Sequence, residues 1–338
     1  MRSMTRVGLL GYGIAGRVFH APLIASTEGM DLVAIVTANP ERQARARAAH
    51  PEAKIVTADE LFELDLDLIV VGTPNKTHVE YAKRAIDKGV AVVVDKPFAP
   101  SSAEAKELVA SARAKGVPLT VFQNRRWDSD FLTVRKIIGQ LGEVRRFESR
   151  YERWVPEIWD NWREFGSPEE AGGLLYDLGA HLVDQALQLF GPVRSVYAEL
   201  DLRRPGVQVD DDVFVALTHE NGVRSHLWAS AHAANNGPRF RVLGSEGAFV
   251  VDGLDEQEDA LAAGRRPTDS HWGREARTGR LGILDHTTEI PVEPGAYQTF
   301  YAELRAGRIP VAPSSAVDAL DVIEAAFTSA RENRVVEL

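Results

Sequence analysis

In the first third of the chain, short and wholly apolar runs alternate with segments of helical spacing. Residues Arg6 to Gly16 read Arg-Val-Gly-Leu-Leu-Gly-Tyr-Gly-Ile-Ala-Gly, a strand running into a glycine turn. Further strands are predicted at Leu32–Val36, Leu68–Val71, Val90–Val94 and Pro118–Phe122. Helices are predicted between them over about 16–27, 40–49, 77–88 and 101–115, with Gly89 and Gly116 following the last two where helices commonly stop. Unbroken apolar strands alternating with helices indicate a doubly wound parallel sheet, its strands buried on both faces. From about Gln123 the pattern changes. Apolar and polar residues alternate at Val144–Tyr151, Val193–Leu202, Val213–Thr218, Val223–Ser230 and Arg239–Leu243, as in half-buried strands of an open, mainly antiparallel sheet. The expected organisation is an α/β domain over 1–122 and an α+β domain over 123–338. A final helix over about 314–333 is expected to pack back on the first domain. Gly253 to Pro294 is polar and rich in Gly and Arg, and is expected to be a long excursion from the sheet.

Length supports the division, because 338 residues exceed what one core commonly holds. The longest apolar runs, such as Val90 to Val94, are too short to cross a bilayer, and the start Met1 to Arg6 leads into no leader-like stretch. A cytoplasmic protein with no membrane contact is therefore expected. The absence of cysteine excludes disulfides, thiolate metal sites and cysteine nucleophiles. The net charge of −10, with no long Lys/Arg run, argues against a nucleic-acid partner.

Gly11, Gly13 and Gly16 form G-x-G-x-x-G directly after the first strand and at the start of a helix, the context that a dinucleotide-binding Rossmann domain requires. Gly11 permits the tight turn, Gly13 lets backbone N–H groups approach a pyrophosphate, and Gly16 lets helix and strand pack closely. At the end of the second strand an Asp or Glu would hold a ribose 2′-hydroxyl. This chain has Thr37-Ala38-Asn39-Pro40-Glu41-Arg42 there instead. Thr37, Asn39 and Arg42 can donate to a 2′-phosphate, which favours NADP(H) over NAD(H). Thr37 and Asn39 can equally be helix caps.

Two later runs, Val71-Gly72-Thr73-Pro74-Asn75 and Val94-Asp95-Lys96-Pro97, join the glycine turn in a pattern that resembles the Gfo/Idh/MocA oxidoreductases. Gly172-Gly173-Leu174-Leu175-Tyr176-Asp177-Leu178-Gly179-Ala180-His181 is similar to that family's G-G-x-x-x-D-x-G-x-H segment. Val18 to Pro22, Gln123 to Asp128 and Asp255 to Leu261 resemble its NADP-dependent scyllo-inositol dehydrogenase branch. The resemblance implies Lys96, Asp177 and His181 as the catalytic residues, with His181 as general acid and base. It implies a homo-oligomer, dimer or tetramer, closing over the open face of the second sheet. It also implies a cofactor site of Gly11, Tyr12, Gly13, Ile14, Ala15, Gly16, Thr37, Asn39, Arg42, Thr73, Pro74, Asn75, His78, Asp95, Lys96, Pro97, Asn124 and Arg126.

The residues themselves agree with alcohol oxidation. A Lys at a strand end suits a substrate oxygen, and Asp177 and His181, four apart in a segment that reads as helix over about 173–190, share a face. Read alone, each also fits a solvated surface role. Arg126, Trp127 and Asp128 offer hydrogen bonds and an aromatic face for a polyol, and a second aromatic and basic cluster supplies Tyr151, Arg153 and Trp162. His226 and His232 lack a third ligand at suitable spacing, so no metal site is expected. His20, just after the glycine turn, fits either the cofactor or a helix surface. The expected reaction is hydride transfer between NADP(H) and a cyclic polyol or sugar. The alternatives are an aldose or keto-sugar reductase of the same family and a dinucleotide-sensing regulator without catalysis.

Overall fold

The computed structural model describes residues 4–158 and 171–338. The apolar runs of the first third become six parallel strands: β1 (Thr5–Leu10), β2 (Met30–Val36), β3 (Lys54–Val56), β4 (Leu68–Val71), β5 (Ala91–Asp95) and β6 (Leu119–Phe122). Their order is β3-β2-β1-β4-β5-β6, so the chain reverses direction across the sheet between β1 and β4. That reversal leaves a crevice at the carboxyl ends of β1 and β4, where such sheets hold ligands. Helices α1 (Ala21–Ala25), α2 (Pro40–Ala49), α3 (Ala58–Phe62), α4 (His78–Asp87) and α5 (Ser102–Lys115) connect the strands. Every residue of β4 and β6 is buried, which is why they read as unbroken apolar runs. Strand β3 and helix α3 are absent from the sequence reading. The edge strand is three residues long, and α3 is one short turn closed by a capping box between Thr57 and Glu60.

The second sheet has nine strands: β7 (Val144–Glu152), β8 (Val193–Asp201), β9 (Asp212–His219), β10 (Arg224–Ser230), β11 (Phe240–Gly244), β12 (Ala248–Val251), β13 (Thr278–Ile283), β14 (His286–Pro291) and β15 (Val336–Glu337). Their order is β14-β13-β12-β11-β7-β10-β9-β8-β15, antiparallel except where β7 lies parallel to β10. The alternation seen in the sequence is the two faces of this sheet. Val213, Val215 and Leu217 of β9 are buried under helices, while Phe214, Ala216 and Thr218 are half-exposed on the other face. One expectation needs correction. Gly253 to Pro294 does not leave the sheet but contains a short helix, Gln257–Ala262, and the hairpin β13–β14, which extends it. Gly279 and Gly282 hide that hairpin from a pattern search, although Gly279 is where the Phe249 ring leaves no room for a side chain.

The remaining helices are α6 (Ser129–Ile137), α7 (Ala180–Phe190), α8 (Gln257–Ala262), α9 (Gln298–Arg305) and α10 (Pro313–Glu332). Helix α10 joins the two halves. It packs on α7 and β8 of the second half. Its Asp321 pairs with Lys106 of α5 at 2.7 Å, and its Glu324 accepts from the Ser102 backbone N–H and hydroxyl at 2.6 and 2.8 Å. Among the described residues no helix is long and apolar enough to cross a membrane.

Candidate functional site

The glycine turn separates into two kinds of position. Gly11 has a φ of 99°, and a side chain there would run into the Gly72 carbonyl; one on Gly16 would run into the carbonyl of Gly11. These two glycines are dictated by packing. Gly13 is different, because a Cβ built there meets only the Arg42 guanidinium, at 3.9 Å. The space above it is what a closely approaching phosphate requires, so the turn fits a dinucleotide. The wide-wound segment Ala15–His20 follows, with Ile14 half-exposed over the turn. Tyr12 is buried and meets His50 edge-on at 6.1 Å.

At the end of β2, Asn39 Oδ1 accepts from the Arg42 backbone N–H at 3.0 Å, so Asn39 is the N-cap of α2. Thr37 is buried, and its carbonyl accepts from Gln43. Arg42 remains as the cation facing Gly13.

The loops after β4 and β5 are tied to each other. His78 Nδ1 lies 2.8 Å from the Pro97 carbonyl and its Nε2 lies 2.9 Å from the Thr73 carbonyl. Burial holds the His78 imidazole below its ordinary pKa, with Asp95 opposing. Pro97 follows a cis bond from Lys96. Thr73 accepts from the Thr77 hydroxyl, and the buried Asn75 side chain donates to the Ala171 carbonyl at 3.0 Å. Asp95 Oδ1 accepts from the Lys96 backbone N–H at 2.9 Å and stands 3.8 Å from His20 Nε2. Burial pushes the Asp95 carboxyl up, but His20, Lys96 and His78 bring it below its ordinary value.

These loops form one wall of a cleft of about 420 Å³, and the helical segment from Gly173 to His181 forms the other. Lys96 Nζ donates across it to Asp177 Oδ1 at 2.7 Å and to the Asp177 carbonyl at 2.8 Å. Asp177 lies in the wide-wound segment Leu175–Gly179, which continues directly into α7. His181 is buried, and its Nδ1 has no hydrogen-bond partner among the described residues. Burial and then the charges of Lys96 and Arg125 hold it well below the ordinary histidine pKa, against the opposing pull of Asp177. The ring is therefore neutral near pH 7.

Ile14, Ala15, Asp95, Lys96, Asn124, Arg153, Asp177 and His181 line the cleft. Four of the residues expected to meet the substrate do not. Arg126 is buried in a two-bond pair with Asp184, at 2.8 and 2.5 Å. Trp127 packs its ring edge-on against Phe300. Asp128 lies behind the cleft, accepting from Tyr297 at 2.6 Å and from Tyr151 at 3.1 Å, and burial pushes its carboxyl well up. Tyr151 is buried with its ring 6.4 Å from that of His181. Trp162 lies outside the described residues.

The cleft instead uses Arg125, Glu258, Arg204 and Asp210, with Phe19 and Phe122 as apolar surface. Arg125 and Arg126 sit in one tight turn, Asn124–Trp127, with three residues per turn, so neighbours point in different directions. The sequence offers both arginines and no means of choosing. Arg125 pairs with Glu258 of α8 and donates to Tyr297 at 2.9 Å. Glu258 belongs to the Asp255 to Leu261 run already noted, which marked a resemblance but carried no expected role.

Comparison with known proteins agrees with this architecture along the whole chain. A family model described as an oxidoreductase family with an NAD-binding Rossmann fold matches residues 5–123, and one described as the GFO/IDH/MocA C-terminal domain matches residues 131–250. The chain is 40% identical over 344 residues to the uncharacterized oxidoreductase YdgJ of Escherichia coli (strain K12), covering 98% of each. It is 35% identical over 348 residues to IolW of Bacillus subtilis (strain 168), a scyllo-inositol 2-dehydrogenase (NADP(+)), covering 98% of this chain and 96% of that one. The solved structure of yvaA from Bacillus subtilis superposes with a TM-score of 0.94 at 34% identity, covering 100% of this chain and 99% of the other.

Proposed function

The chain belongs to the Gfo/Idh/MocA family of oxidoreductases, and from that membership we propose that it interconverts a secondary alcohol and a ketone on a cyclic polyol or sugar, with NADP(H) preferred over NAD(H). An inositol such as scyllo-inositol, or its keto form, is the first candidate. The observation that carries the reading is the Lys96 ammonium, bonded twice to Asp177 beside a neutral, buried His181 on the cleft that also meets the glycine turn.

A nicotinamide dinucleotide, its pyrophosphate held by the Gly11 to Gly16 turn, would supply the acceptor or donor of hydride. Everything else falls to the chain. Lys96 holds the substrate oxygen and stabilises negative charge developing on it, in a partly buried setting where a fixed charge acts strongly. Asp177 anchors the long lysine side chain and leaves it less to lose on ordering. His181, neutral and with positive neighbours, accepts the hydroxyl proton during oxidation and returns it during reduction. Asn124, Arg125, Arg153 and Glu258 offer donors and acceptors to ring hydroxyls, and Phe19 and Phe122 face the C–H side.

Arg42, next to the open Gly13, supports the choice of a 2′-phosphate, as does the similarity to IolW. The half-exposed face of the second sheet, with Phe214 and Trp228, supports a homo-oligomer. A cytoplasmic setting fits the cofactor. Titration with NADPH and NADH, followed by a panel of inositols, inososes, aldoses and keto sugars, tests the reading. Expected are tighter binding of NADPH, a loss of about tenfold in Arg42→Ala, and turnover of an inositol or inosose. Equal affinity for both cofactors overturns the preference for NADP(H). Turnover confined to aldoses or keto sugars makes the protein a reductase of those, and cofactor binding with no turnover leaves an enzyme of narrower substrate range or a sensor.

A further inference from the structure

Asp210 lies in the link between β8 and β9, in no motif that the sequence singles out, yet it touches the start of the segment that carries Asp177 and His181. Its carbonyl accepts from the Leu174 N–H at 2.9 Å, and its Oδ2 accepts from the Leu175 N–H at 2.7 Å. Gly173, with a φ of 90°, lies against the same carboxylate, and any side chain there would overlap it. One residue from the second sheet thus satisfies two N–H groups that a helix start leaves without partners. Asp210 is 8% exposed, and it lines the cleft with Lys96 and His181.

We propose that Asp210 is a positioning residue, fixing the first turn of this segment so that Asp177 and His181 stay registered against Lys96. The kinetic part of the proposal rests on the oxidoreductase reading; the structural part does not.

Among the described residues, Asp211 is adjacent and accepts from the buried Arg204 at 2.9 Å, and Asp95, Lys96, Arg125, Arg153, Asp177, His181 and Glu258 share the cleft. Burial pushes the Asp210 carboxyl up to about 6, with Asp211 adding to the rise and the backbone N–H bonds opposing it. The raised value means that the folded segment favours the protonated carboxyl, so its hold is firmest at low pH and weakens as the pH rises through about 6.

The test is amide hydrogen exchange over residues 174–181 in the full-length protein, with kcat and KM followed between about pH 5 and 8. In the native protein, protection at Leu175, corrected for the intrinsic exchange rate, should step down as the pH rises through about 6. Asp210→Asn keeps an oxygen acceptor but cannot ionise, so it should stay protected and lose the step. Asp210→Ala should lose protection throughout and lose kcat by about tenfold to a hundredfold, with Asp210→Asn recovering most of it. Full protection in Asp210→Ala, or a surviving step in Asp210→Asn, overturns the proposal. If no substrate is turned over by the native protein, the function proposed above fails while the exchange data still decide the role of Asp210.

Discussion

Two buried histidines, one behind the strand-end wall of the cleft and one lining its helical wall, have different surroundings. His78, behind the strand ends, has a backbone carbonyl within 2.9 Å of each ring nitrogen and lies between the two loops beside Lys96. His181, on the helical wall, presents an Nδ1 with no partner among the described residues. The contrast separates frame from chemistry. A ring enclosed by backbone acceptors holds loops in place, whereas a ring with spare capacity can change its protonation. Asp210, beside His181, extends the contrast. Its folded pKa of about 6 lies above the unfolded carboxylate value, so its contribution to stability is full below about pH 4 and is lost as the pH rises through about 6. That loss is about 3 kcal/mol above pH 6. The helical wall carries a stability cost that Asp210→Asn should remove at pH 8 and leave unchanged at pH 4, as thermal melts would show.

The largest effects should come from Lys96 and His181, the two groups proposed to act on the substrate. Lys96→Met removes the group proposed to stabilise the substrate oxygen, and kcat should fall by about a thousandfold. His181→Ala should lower kcat by about a hundredfold to ten-thousandfold while NADPH affinity changes by less than about threefold. Steady-state rates and a fluorescence titration measure both. If His181→Ala kept native turnover, the helical wall would be structural and the contrast would disappear; if Lys96→Met did, the assigned role of Lys96 would fall.

The frame is broken by removing His78. His78→Leu leaves the Thr73 and Pro97 carbonyls buried against an apolar side chain, a loss of about 3 kcal/mol readable by urea unfolding. His78→Asn keeps one donor and should lose about half of that. Equal stability of all three proteins would mean that the loops are held by something other than this ring.

Much of this contrast is legible in the sequence, and its limits have physical causes. Gly11, Gly13 and Gly16 follow an apolar strand, so local spacing alone exposes the turn. Lys96, Asp177 and His181 are separated by up to 85 residues of chain (181 − 96), yet sit in short motifs that a resemblance can carry over. Arg125 was missed in favour of Arg126 because direction within one tight turn depends on backbone torsion, not on residue type. Asp210 was missed because its role is a tertiary contact: an acidic run on a sheet link gives no sign of which helix start it meets. Glu258 stands in plain view, but its pairing with Arg125 depends on how α8 lies against the Asn124–Trp127 turn. Strands β13 and β14 were hidden by glycines that packing requires and pattern reading treats as breaks.

The smallest expected effect tests whether the frame ends at Asp95. The Tyr301 hydroxyl lies 2.7 Å from His20 Nδ1, and donating to it places the ring proton on Nε2, which faces Asp95 across 3.8 Å. Tyr301 itself is fully buried on α9, and burial raises its phenol well above the ordinary value, so the group stays neutral and serves only as a hydrogen-bond partner. Tyr301→Phe removes that single bond without opening a cavity. It leaves one buried imidazole nitrogen without a partner, a loss of about 1–2 kcal/mol. Because Asp95 keeps its bond to the Lys96 backbone, the lysine should stay in place and kcat should remain within about twofold. Urea unfolding and steady-state rates on the same preparation read the two quantities separately. A fall in kcat of tenfold or more with stability unchanged would make His20 and Tyr301 a route for protons to Asp95, and the wall described here as frame would then take part in the chemistry.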